Sequence, residues 1–175
     1  VFFTTTFGLN FQIFIALMST KEFGLGPSEF GTLGTILAVG SLSGALVAAR
    51  LEKHRTIRNI LRGAILFGVL VAASAYLPNV YIYAAMLPLL GATVLLTLIS
   101  ANTYVQSNTD SALRGRVMGI YLMIFMGGTP LGSPLVGLLA SWLGIRATIL
   151  ICGIIVVVAA LIIRQLYIKF RAVEK

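Results

Sequence analysis

Six long apolar stretches divide this chain, and the charges in the links between them are sorted. Arg50, Lys53, Arg55, Arg58, Arg62, Arg114, Arg116, Arg164, Lys169, Arg171 and Lys175 fall on alternate links and at the C-terminal end. The intervening links hold only Lys21 and Arg146. Helical membrane proteins keep their excess of Lys and Arg in cytoplasmic loops. The sorting predicts an all-α, polytopic transmembrane bundle, multi-pass in a cell inner membrane or plasma membrane. It puts the basic loops and the C-terminus in the cytoplasm. Hydrophobic residues make up 58% of the chain and charged residues 10%, far from the roughly one-quarter charged content of soluble domains. Lipid as the solvent removes the need to cover that apolar surface. The net charge of +8 would suit nucleic acid, but the cations sit at segment ends without interleaved aromatics, so nucleic acid is not an expected partner.

The stretches cover approximately 1–20, 28–49, 57–77, 80–104, 117–142 and 147–167, each near the ~20 residues that a helix needs to cross a bilayer. None alternates apolar and polar residues as a barrel strand would. The links are short. Gly24, Gly26 and Pro27 make the first a turn, with Ser28 as the expected N-cap. Pro78-Asn79 and Gly144-Ile145-Arg146 separate later segments. Residues 1–175 read as one six-helix unit, with Val1 on the basic side. The chain begins at Val1 inside an apolar stretch, so a longer parent protein is expected. Cys152 is the single cysteine, which allows no intrachain disulfide and no cysteine-rich metal site.

Helix faces supply the candidate site. Thr93, Thr97, Ser100 and Tyr104 share one face of the fourth segment. Their hydroxyls either bond carbonyls of their own or a neighbouring helix, or line a cavity. Thr6, Asn10 and Phe14 share a face of the first segment, and Gln12 lies on another. An amide inside a membrane needs a partner, so Thr6, Asn10, Phe14, Thr93, Thr97 and Ser100 are the substrate-cavity candidates. In the second segment Gly34, Ala38, Ser41, Ala45 and Ala48 form a small-residue stripe, and Gly40 and Gly44 a separate GxxxG pair; both suit close helix packing. The fifth segment places Pro130 and Pro134 four apart among glycines. Each proline removes a ladder hydrogen bond and invites a bend, which marks Gly128, Pro130, Gly132 and Pro134 as hinge candidates. The third and sixth segments are apolar all round, as lipid-facing helices are. No ionisable residue lies mid-segment, so no proton carrier is visible. Without a metal cluster, a phosphate loop or paired membrane carboxylates, no catalytic residue, metal or cofactor is expected, and the chain does not read as an enzyme.

The run Leu113-Arg114-Gly115-Arg116-Val117-Met118-Gly119, followed by Gly127 to Gly137, resembles the loop and eleventh helix of major facilitator superfamily transporters, nearest to the bacterial drug and siderophore (enterobactin) exporter branch. The resemblance implies helices seven to twelve of a twelve-helix fold. Segments one, two, four and five would then line the cavity or the bundle interface, and segments three and six would face lipid. Gly44 to Arg55 takes the place of the family's cytoplasmic loop motif, but Ala48-Ala49 stands where an acidic pair position is usual, so no carboxylate latch is expected. Arg50, Arg55, Arg114 and Arg116 would be the cytoplasmic loop cations. The implied function is proton-coupled efflux of small amphipathic molecules by alternating access, as an antiporter. The implied partners are a small-molecule substrate, membrane lipid and an N-terminal six-helix half. The alternative is a self-standing six-helix channel or an oligomeric membrane assembly component.

Overall fold

The computed structural model describes residues 1–51 and 56–173, with side chains as far as residue 169. Arg55 lies outside the described residues. Every regular element among them is helical.

The first apolar stretch departs from expectation. No continuous helix forms over 1–20. A short helix α1 (Phe11–Leu17) is flanked by π-helical turns at Thr4–Gly8 and Met18–Glu22. Between the first turn and α1, Leu9 and Asn10 leave helical geometry, with ψ of 17° and 36°. Polar side chains compete locally for the backbone: Thr5 Oγ1 donates to Phe2 O at 3.0 Å, and Asn10 Nδ2 donates to Thr6 O at 2.7 Å. Side-chain bonds of this kind offer the chain an alternative to its own ladder. Hydropathy reports only how apolar a stretch is, so it does not register such a break.

The other five stretches form α2 (Pro27–Arg50), α3 (Ile57–Ser74), α4 (Val80–Ser107), α5 (Arg114–Leu143) and α6 (Ile145–Val173). All five are long and apolar enough to cross a bilayer. The chain is thus a multi-pass membrane protein. Pro27 opens α2 at the first helical position, where its missing N–H is not needed. The N-cap is Gly26, two residues before the expected Ser28; its N–H donates to the Glu29 carboxylate at 3.0 Å, and Ser28 donates to the same oxygen at 2.7 Å. Thr56 and Asn79 cap α3 and α4 by accepting from Asn59 N–H and Ile82 N–H. Gly144, at φ +79°, makes the tight reversal from α5 to α6 that a side chain would strain.

Close glycine seams hold the bundle together. Gly40 and Gly44 of α2 rest on the backbone of Pro88 and Ala92 in α4, where any Cβ would overlap main-chain atoms. Gly91 returns the contact onto Leu37 and Ser41. The GxxxG pair makes most of this seam; of the neighbouring small-residue stripe, Ser41 meets Gly91 and Ala48 is buried, while Gly34 has open space and Ala38 is exposed. Gly68 of α3 and Gly153 of α6 interlock similarly. Phe67, Leu87, Leu90, Val94, Ile149 and Val156 fill the centre. Leu66 and Val69 of α3, with Ile154, Ile162 and Leu166 of α6, lie exposed on the outer flank, an apolar surface suited to hydrocarbon.

At the charge-poor end, Arg146 pairs with Glu22 at 2.5 Å and donates to Ala75 O and Leu77 O at 3.0 and 3.2 Å. One guanidinium thereby ties the end of the first segment to carbonyls just past the end of α3 and to the first turn of α6.

Candidate functional site

The first segment, α4 and α5 line an open cavity of about 410 Å³. Leu9, Leu95, Leu98, Ile99 and Leu122 supply apolar walls, and Asn102, Thr103, Tyr121 and Phe125 complete the lining. Tyr121 and Phe125 are one turn apart on α5, so their rings share a face. They lie nearly parallel, 9° between planes, with centroids 6.4 Å apart. The Tyr121 hydroxyl is 3.5 Å from Leu98 O. No carboxylate, imidazole, ammonium or guanidinium borders the cavity among the described residues. Its chemistry is apolar contact, aromatic faces and a few neutral hydrogen-bonding groups, the usual make-up of a pocket for small organic molecules.

Beside the cavity, the broken first segment is fastened to the proline-bearing helix. Asn10 accepts from Ser133 Oγ at 2.9 Å while donating to Thr6 O. One amide therefore satisfies the carbonyl near the break and bonds across to α5. Gly132 and Gly128 permit this approach: a side chain at either would overlap Thr6 O or Thr5 Oγ1. Pro130 and Pro134 occupy the exposed side of the same helix. Neither can donate to the carbonyl four residues earlier, yet α5 runs unbroken through both.

Only part of the expected site comes together here. Thr6 and Asn10 are buried at the α5 contact, and Phe14 is packed in the core at 2% exposure. None of the three borders the cavity. Thr93 and Thr97 donate to Leu89 O and Thr93 O of their own helix, at 2.6 and 2.7 Å. Thr97 Oγ1 also faces Gly63 of α3. Thr97 and Ser100 border a separate, smaller hollow with Asn59 and Gly63. The cavity face of α4, Leu95-Leu98-Ile99-Asn102, is the opposite side from that hydroxyl stripe. Arg50, Arg114 and Arg116 are exposed at helix ends, and Arg114 donates to Thr109 O at 3.3 Å.

The profile of the Major Facilitator Superfamily matches residues 1–173. The chain belongs to the major facilitator superfamily. Over 125 residues it is 30% identical to the multidrug efflux pump Tap of Mycolicibacterium fortuitum, covering 71% of this chain and 31% of that protein. Over 149 residues it is 29% identical to the staphyloferrin A transporter of Staphylococcus aureus, covering 84% of this chain and 37% of the relative. The chain thus spans about a third of the length of the curated relatives it matches. No solved structure gives a significant match.

For this major facilitator chain, sequence reasoning missed Tyr121, Phe125 and Leu9 as cavity residues. A usable signal existed: an aromatic pair at i, i+4 in a membrane helix, with Asn102 polar on the facing segment. Hydroxyls drew attention instead, although a Ser or Thr in a membrane helix can satisfy itself on its own carbonyls.

Proposed function

We propose that this bundle is the C-terminal half of a secondary transporter that exports small amphipathic molecules by proton-coupled alternating access. An N-terminal six-helix half would complete it, and the basic loops and C-terminus would face the cytoplasm. The observation that carries this reading is the uncharged, aromatic-walled cavity between the first segment, α4 and α5. Its walls suit a ligand with an apolar or planar body, and Asn102 and Thr103 can orient one polar group. The two relatives are named for multidrug efflux and for the transport of staphyloferrin A, which supports transport of a small organic molecule.

The original candidates take different parts in this proposal. Thr6 and Asn10, with Gly128, Pro130, Gly132 and Pro134, form the place where the first segment moves against α5. Phe14, Thr93, Thr97 and Ser100 border the cavity only in a second arrangement of the bundle. The proton travels through groups outside the cavity, because no carboxylate or imidazole lines it among the described residues.

The test is drug accumulation in an efflux-deficient bacterium expressing the full-length protein. Tyr121→Ala and Asn102→Ala should raise intracellular drug toward the empty-vector level at unchanged protein abundance. Wild-type efflux in both variants would remove the cavity from the transport path.

A further inference from the structure

Another hollow, of about 430 Å³, opens at the charge-rich end of the bundle between the first turns of α3 and the last turns of α4 and α6. Its wall is mostly polar and includes Arg58, Asn59, Arg62, Tyr104 and Tyr167. No carboxylate borders it among the described residues. Arg58 and Arg62 stand one helical turn apart, so their side chains leave α3 on the same face. Arg62 Nη1 lies 3.4 Å from Asn59 Oδ1, which orients its guanidinium along the wall. The only ion pair among the described residues, Arg146 with Glu22, is at the opposite end. Two guanidinium forks over a polar hollow match the oxygens of a phosphate group. The positive end of the α3 dipole adds to the same field.

The position selects the source of the phosphate. Leu66 and Val69 continue the Arg58–Arg62 face along α3, and Ile163 lies one turn before Tyr167 on α6; all three are exposed and apolar. Tyr104 and Tyr167, both half-buried, sit where apolar flank meets polar end, the level at which Tyr is enriched in membrane proteins. We propose that this hollow binds the phosphodiester headgroup of an anionic membrane phospholipid, with its acyl chains lying along the α3–α6 flank. Basic pockets between transmembrane helices hold anionic headgroups in this way. The proposal depends neither on the transported substrate nor on the direction of transport.

The experiment uses the purified full-length protein with dioleoylphosphatidylglycerol, dioleoylphosphatidylcholine or inorganic phosphate. Retained lipid is read by native mass spectrometry and protection by the thermal midpoint. The wild type should retain and be stabilised by phosphatidylglycerol in preference to phosphatidylcholine. Arg58→Gln with Arg62→Gln should weaken phosphatidylglycerol binding, by about fivefold per arginine removed. Arg116→Gln, on the α5 side, should not. Arg58→Lys with Arg62→Lys keeps the charge and should keep the preference for the anionic lipid. Equal retention of both lipids by the wild type would overturn the proposal, as would undiminished phosphatidylglycerol binding in the glutamine pair. Equal protection by inorganic phosphate at matched concentration would overturn the lipid assignment in favour of a soluble anion.

Discussion

Two glycine-built seams in this bundle use the same residue for different ends. Along α2–α4, Gly40, Gly44 and Gly91 bring two continuous helices into backbone contact, and no hydrogen bond between side chains crosses the contact among the described residues. Along the first segment and α5, Gly128 and Gly132 bring a broken helix against one that carries two prolines, and Asn10 and Ser133 are hydrogen-bonded across it. The first seam owes its hold to close packing, which shape alone makes hard to rearrange. The second owes part of its hold to a polar contact next to ladder bonds already absent. A joint of that kind can open at lower cost, and it lies beside the aromatic-walled cavity. The contrast teaches that a glycine pair in a membrane helix marks proximity, while the neighbouring polar and proline residues decide whether the contact is fixed or movable.

The largest effect is expected in the close-packed seam. Gly44→Leu drives a side chain into the Ala92 backbone and should cost about 3 kcal/mol or more, read as a collapse of the thermal midpoint of the full-length protein in detergent. A wild-type midpoint would mean that α2 and α4 do not touch there. Next comes Asn10→Ala, which strips the partner from Thr6 O and from Ser133. It should destabilise by about 1–3 kcal/mol, the range for leaving buried polar groups unsatisfied. Efflux should fall further than the loss of folded protein explains; a matched fall would make Asn10 structural only. Ser133→Ala removes the cross-helix bond alone and should cost about 0.6 kcal/mol, the average for interhelical bonds in a membrane protein. A double-mutant cycle with Asn10→Ala should recover that coupling, and strict additivity would show that the bond is not formed. Smallest is Arg146→Gln, at up to about 1 kcal/mol because its ion pair is partly exposed. High salt should shrink the difference between Arg146→Gln and wild type, and an effect indifferent to salt would assign it to the contacts with Ala75 O and Leu77 O.

How much of this was legible in the sequence differs between the two seams. The second to sixth spans follow from apolar length and sorted charge, and Gly40 and Gly44 already read as a packing pair. The GxxxG pair and its neighbouring stripe could not be ranked, because which face of α2 meets α4 depends on where Pro88 and Ala92 present bare backbone. The break at Leu9 and Asn10 was not legible: hydropathy is blind to the competition of Thr5 and Asn10 side chains for backbone groups. The hydroxyl stripe of α4 was legible as a pattern but not in its destination. Thr93 and Thr97 satisfy themselves locally, and the opposite face, with Asn102, meets the cavity. The Tyr121–Phe125 pair is faint in sequence because aromatic residues are ordinary in membrane helices, and the facing Leu9 and Asn102 make them a wall.

Hydrogen exchange of the full-length protein in lipid nanodiscs tests the central contrast most directly. Amides around Leu9, Asn10 and Phe11 should exchange faster than those from Gly40 to Gly44, because local opening follows the weaker set of contacts. In Ser133→Ala the first group should exchange faster still, while the second stays unchanged. Equal protection of the two seams, or an equal response of both to Ser133→Ala, would contradict a movable first segment set against a fixed α2–α4 pair.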